Sequence, residues 1–156
     1  MIIGFNQRDE RLLQPIRDYG CLFLSLAYNS PVVYAYSRGI TDLNMLWNKC
    51  LSRGYITGDL NHDGDVNDDG ESEIMNHTCV AQLLGCEVVY DGVHHLPSEA
   101  IPEDKVAFAI GAFHYKFTHF ATVSKDDKHK VIWDSLGNSV SIAKGTLNSV
   151  RWYYHI

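Results

Sequence analysis

The chain contains no run of about 18 consecutive apolar residues, so no segment reads as a membrane-spanning helix. Its opening residues, MIIGFNQRDERLL, lack the basic start and long apolar stretch of a secretory signal. Cysteine is sparse and scattered. Cys21, Cys50, Cys79 and Cys86 form no CxxC pair and no dense disulfide framework, so reduced thiols and a cytoplasmic setting are expected. No HxxxH spacing occurs either, and His77, Cys79, His94 and His95 therefore make a poor zinc set. Clustered Lys and Arg are missing as well. With 13 basic residues against 19 acidic ones and a net charge of -6, the chain lacks the surface that tracks phosphates, so nucleic acid is not an expected partner.

What is present is ordinary globular composition: 156 residues, 46% hydrophobic and 21% charged, enough for one well-filled core. A single domain over residues 1 to 156 is expected, with no Pro, Gly or Ser linker inside it. The apolar run CLFLSLAY predicts a buried helix over 21 to 28, stopped by Asn29, Ser30 and Pro31. A second helix is predicted from Thr41 or Asp42 to about Arg53, with Leu43, Leu46, Trp47 and Cys50 on its apolar face and Gly54 at its end. A third runs from about Ser72 to Leu84 and closes at Gly85. Beyond Gly85 the pattern turns to β-branched and alternating runs, predicting strands at 86 to 90, 106 to 113, 119 to 124, 130 to 135, 139 to 142 and 150 to 156. Helices first and strands later define an α+β chain with a mainly antiparallel sheet, because KDDKHK reads as the charged turn of a hairpin.

A thiol nucleophile needs a lowered pKa, a base within hydrogen-bond reach and a group that orients the base. Cys21 opens the first predicted helix, where unsatisfied N–H groups and the positive dipole end favour thiolate. His119 opens one predicted strand and Asp134 lies near the end of the next, so a hairpin brings them to one face as base and orienter. Buried thiols are commonly plain core, and Cys50, Cys79 and Cys86, on or beside apolar faces, are read that way. His114, within AFHYKF, is a rival base more in keeping with a strand end.

GCLFLSLAY followed by THFATVSKDDKHKVIWDSLGN resembles the papain-like peptidases of the bacteriocin-processing C39 type. In that group a Gly-Cys opens the central helix, a His-aromatic pair begins a strand, and an Asp follows the next strand just before a Gly-bearing turn. The resemblance implies a papain-like fold, with helices packed on a mainly antiparallel sheet. It also implies a cysteine peptidase or related amidase with Cys21 as nucleophile, His119 as general base and then acid, Asp134 as orienter, and Gln14 as oxyanion donor. A peptide or protein would be the substrate. Two departures keep a second function in view. Leu22, Phe23 and Leu24 follow Cys21 where the family usually has small and polar residues, and Gln14 stands seven positions ahead of it. A catalytically inactive papain-like binding module fits the same pattern, as an interaction or inhibitor domain or an accessory protein of a phage or mobile element. Tyr115 and Phe117, just before His119, would line a groove in either case or serve packing alone.

The segment GDLNHDGDVNDDGESE, residues 58 to 73, is the loop of an acidic helix-loop-helix insertion expected at about 41 to 84, and it resembles the calcium loops of EF-hand and dockerin modules. Counted from Asp59, oxygen-bearing side chains fall at loop positions 1, 3, 5 and 9 as Asp59, Asn61, Asp63 and Asn67, with Gly64 at the sixth. Asp65 would offer its backbone carbonyl. Gly70 occupies position 12 where a bidentate acid is expected, and a second register starting at Asp65 places Glu73 ninth and Asn76 twelfth. Like charge this dense in a tight turn repels itself without a cation, so Ca²⁺ in a stabilising role is the expectation, against a merely solvated loop.

Overall fold

The computed structural model of the chain describes residues 6–31, 40–58, 73–95, 101–102 and 104–156. Packing divides the chain into two compact units, Met1–Cys86 and Glu87–Ile156. The boundary falls where the sequence pattern changes from helical to alternating. The protein is thus α+β, with helices first and a larger antiparallel sheet after them. Among the described residues no helix is long and apolar enough to cross a membrane.

In the first unit, α1 (Gln14–Tyr19) carries Pro15 in its first turn, where a missing N–H removes no helical bond. This short helix goes beyond what the sequence predicts, since its proline and polar residues conceal it. α2 (Cys21–Tyr28) follows at once and is buried over Cys21 to Ala27, so it has no solvent face. Phe23 meets Trp47 of α3 (Ile40–Ser52) edge to face, with ring centroids 5.0 Å apart at 89°. Asn44 of α3 holds the approach to α1 by accepting from Leu13 N at 2.9 Å and donating to the Arg11 carbonyl at 2.8 Å.

The third helix begins later than its apolar pattern predicts. Glu73–Ile74 form a strand, β2, paired antiparallel with β1 (Ile56–Thr57), and α4 covers only His77–Leu83. The reason lies in hydrogen bonding. Met75 and Asn76 give their N–H groups to the Tyr55 carbonyl, and the Asn76 side chain then caps the helix by accepting from Cys79 N at 3.0 Å. Asp59, Asn61, Asp63, Asp65 and Asn67, the predicted calcium ligands, lie outside the described residues. The ladder pairs Thr57 with Glu73 and so draws together the two ends of that segment.

The second unit is a five-stranded sheet in the order β3–β7–β4–β5–β6, antiparallel throughout. Its strands are β3 (Val88–His95), β4 (Val106–His114), β5 (Thr118–Val123), β6 (Val131–Trp133) and β7 (Thr146–His155). The predicted strand at 139 to 142 is instead a helix, α5 (Val140–Lys144). Ser139 caps it by accepting from Ser141 N at 3.2 Å, a local bond that outweighs the β-branched pattern. Gly145 ends it in close quarters: a Cβ there would lie 2.0 Å from the Ser141 carbonyl oxygen and 2.5 Å from that of His114. β7 accordingly starts at Thr146, earlier than predicted. β3 also runs past its predicted end, turning through a bulge at Gly92, whose φ of 124° only glycine adopts readily. One face of the sheet packs Val106, Ala109, Phe113, Val123, Val150 and Trp152 into a core. The valines and the phenylalanine each contribute about 1.5–3 kcal/mol by leaving water.

Candidate active site

His119 and Asp134 meet inside the second unit. β5 and β6 pair Thr122 with Trp133, and Asp134 follows directly on the end of β6, on the side toward the start of β5. His119, the second residue of β5, reaches it across that end of the pair. Its Nε2 is 2.6 Å from Asp134 Oδ1, with side-chain exposures of 3% and 6%. The sequence-predicted base and orienter are therefore brought together, and the ring nitrogen that faces the carboxylate is Nε2.

The turn after β6 holds the carboxylate in place. Leu136 N donates to Asp134 Oδ1 at 3.0 Å, Ser139 N donates to Oδ2 at 2.9 Å, and Gly137 N donates to the Asp134 carbonyl at 2.9 Å. Gly137, at φ 84°, provides the left-handed step that lets the turn fold back. Burial opposes ionisation of Asp134, but the bonds from His119, Ser139 and Leu136 outweigh it and hold the carboxyl below its ordinary range. An ionised Asp134 fixes the imidazole's rotation and favours the tautomer with a proton on Nε2. Ser139 thus serves twice, as cap of α5 and as part of the carboxylate's seat. Sequence reasoning missed it because an SVS run reads as strand.

Cys21 is the first residue of α2 and is 9% exposed, with Gly20 as N-cap and no side chain capping the helix. The Gly-Cys pair has a steric cause. Gly20 N donates to Ile16 O at 2.8 Å as α1 closes, and Leu24 N donates to Gly20 O at 2.8 Å as α2 opens. A Cβ on Gly20 would lie 2.5 Å from the Ile16 carbonyl oxygen and 2.8 Å from its Cα. Only glycine lets one helix end and the next begin there.

Cys50 and Cys86 are buried. Burial pushes Cys50 up to about 11 and Cys86 up to about 12, so both stay protonated at neutral pH. Cys86 Sγ donates to the Leu26 carbonyl at 3.6 Å. His114 is an exposed strand end whose Nδ1 lies 3.3 Å from Thr118 Oγ1. Gln14, the first residue of α1, is exposed; its amide donates to Asp18 Oδ2 at 2.8 Å and its oxygen accepts from Arg17 at 2.8 Å. The buried glutamine of this unit is Gln7, whose Nε2 donates to the Arg17 carbonyl at 3.1 Å. Nothing in the pattern around NQRD marks Gln7 for burial. Among the described residues no three His, Cys, Asp or Glu side chains gather as metal ligands.

These features define an α+β protein carrying a buried, loop-seated His–Asp pair on its antiparallel sheet. The family model described as "Protein of unknown function, DUF261" matches residues 1–155, and the chain belongs to that family. No curated protein and no solved structure matches it.

Proposed function

We propose that this chain is a thiol hydrolase of papain-like type that cleaves a peptide or related amide bond. The observation that carries the proposal is the buried His119–Asp134 hydrogen bond, since a histidine oriented through Nε2 offers Nδ1 for proton exchange with a thiol. Cys21, at the start of α2, is the nucleophile. In the proposed reaction a general base, the role assigned to His119, takes the thiol proton, the thiolate sulfur bonds to the carbonyl carbon, and the C–N bond breaks as the amine leaves with that proton. Water, deprotonated by the same imidazole, then releases the acid from the thioester. The Cys21 backbone N–H and Gln14 would hold the oxyanion, which requires the Gln14 amide to leave Asp18. The acidic segment from Asp59 to Asn67 serves as a structural Ca²⁺ site in the same proposal.

The test is alkylation by iodoacetamide near pH 6, read peptide by peptide in the mass spectrometer. The hydrolase reading expects rapid labelling of Cys21 that collapses in His119→Ala. Unreactive Cys21 in the native protein would sink it.

A second function is favoured by one observation: Asp134 binds Leu136 N and Ser139 N as well as His119. The pair is then a staple for the turn after β6, in a papain-like binding module without catalysis. Under that reading His119→Ala lowers the melting temperature and leaves the labelling rate of Cys21 unchanged.

A further inference from the structure

The charge of this chain is sharply divided along its length. Residues 105–156 carry seven Lys and Arg against three Asp, whereas residues 1–104 carry six against 16 acidic residues. Of the three aspartates in the basic part, Asp134 is seated beneath His119, and Asp126 and Asp127 sit in the turn between β5 and β6. The turn at the other end of β5, residues 115–117 between β4 and β5, is aromatic and basic.

Tyr115 is 42% and Phe117 59% exposed there. Lys116 Nζ lies 5.9 Å from the centre of the Tyr115 ring. Ser141 Oγ donates to the Phe117 carbonyl at 3.2 Å, which fixes the first turn of α5 against the hairpin, and Val140, the residue before Ser141, is 53% exposed. Lys144 closes the same helix, and Gly145 next to it packs on the His114 carbonyl. Scattered exposed apolar residues are unremarkable, but Tyr115 and Phe117 on one turn, with Lys116 between them and with Val140 and Lys144 on the helix bonded to that turn, form a surface of defined chemistry. Phe117 stands two residues before His119, in the turn that leads into β5.

We propose that this hairpin end docks an extended polypeptide segment bearing an aromatic or branched aliphatic side chain flanked by carboxylates, and that such segments are the substrate class. Phe117, Tyr115 and Val140 receive the apolar side chain; Lys116 and Lys144 meet the carboxylates. The word substrate rests on the hydrolase reading, while docking is measured without turnover.

The probe is a fluorescein-labelled peptide with Leu-Phe between Glu residues, titrated with the full chain carrying Cys21→Ser and read by anisotropy. Binding should weaken about tenfold or more in Phe117→Ser and in Lys116→Glu, with unchanged circular dichroism, since truncating a central anchor costs at least that much. It should weaken with salt and vanish when the Glu residues become Lys. Equal binding by the variants, no binding of the acidic peptide, or equal binding of the basic one overturns the proposal. So does self-association at assay concentration that Lys116→Glu abolishes, because the acidic part of a second copy would then be the occupant. Docking with no cleavage by the unmodified chain leaves this proposal standing and removes the hydrolase reading.

Discussion

His119 Nε2 and Asp134 Oδ1 stand 2.6 Å apart in the interior of the sheet unit, and the aspartate accepts two further backbone N–H groups. Removing one partner of such a buried pair leaves the other without compensation. Asp134→Ala is expected to cost about 3 kcal/mol or more, a fall of roughly 6–12 °C in melting temperature for a chain of this size. Asp134→Asn, which can still receive a hydrogen bond, should keep most of the stability, and on the hydrolase proposal it should slow the alkylation of Cys21. A scan of both variants beside the alkylation assay separates the two effects.

The same carboxyl sets an acid limit. Its folded pKa lies below the ordinary 3.8, so its stabilisation is fully present above that value and drains away as the pH falls through the lower folded value. Melting temperature measured from pH 6 to pH 2 should drop in that window, and the drop should be shallower in Asp134→Asn. An identical acid profile in the two proteins would refute this assignment.

At the alkaline end the buried thiols act with the opposite sign. Burial raises Cys50 from 9.0 to about 11 and Cys86 from 9.0 to about 12. The unfolded chain therefore loses these protons first, and stability declines as the pH rises above 9 toward the folded values. Replacing Cys86 by Ala lowers stability at pH 7 by the lost packing but flattens the slope between pH 9 and 11. Urea titrations at several pH values measure both.

Gly20→Ala tests why a glycine precedes Cys21. Its φ of -88° is accessible to any residue, so the cost is purely steric, from a Cβ 2.5 Å from a backbone oxygen. The gain of about 0.4–1 kcal/mol from a stiffer unfolded chain does not offset a clash of about 1–3 kcal/mol. A net loss of several degrees in melting temperature is expected, together with slower alkylation of Cys21 as the start of α2 shifts. Unchanged stability would remove the steric account.

Calcium should raise the melting temperature if residues 59–71 bind it, because a cation that binds only the folded chain adds RT ln(1 + [L]/Kd). About 2.7 kcal/mol is expected at a hundredfold excess over Kd, and EGTA should abolish it. Asp63→Ala should remove most of the gain. No shift at millimolar Ca²⁺ leaves a solvated loop.

Much of this architecture was legible in the residues. CLFLSLAY marks α2 because a run apolar on all sides has nowhere to go but a core, and the change of period after Gly85 marks the boundary of the sheet unit. The approach of His119 and Asp134 follows from two short strands joined by a charged turn. Less legible were features set by single local bonds. Asn76 and the Tyr55 carbonyl shorten α4, Ser139 turns a strand-like SVSI into α5, and a proline disguises α1. The engagement of Gln14 with Asp18 and Arg17, and the burial of Gln7, depend on how α1 sits within the first unit, which spacing alone does not encode.

The ladder of β1 and β2 has one more consequence. By pairing Ile56 with Ile74 and Thr57 with Glu73, it fastens both ends of the intervening stretch to the helical unit whatever its length. Closure entropy grows only with the logarithm of loop size, so doubling such a stretch costs only about 0.6 kcal/mol. The clasp is therefore a natural splice point, where a protein engineer could exchange the acidic stretch for a short turn or a foreign peptide and keep the helices around it.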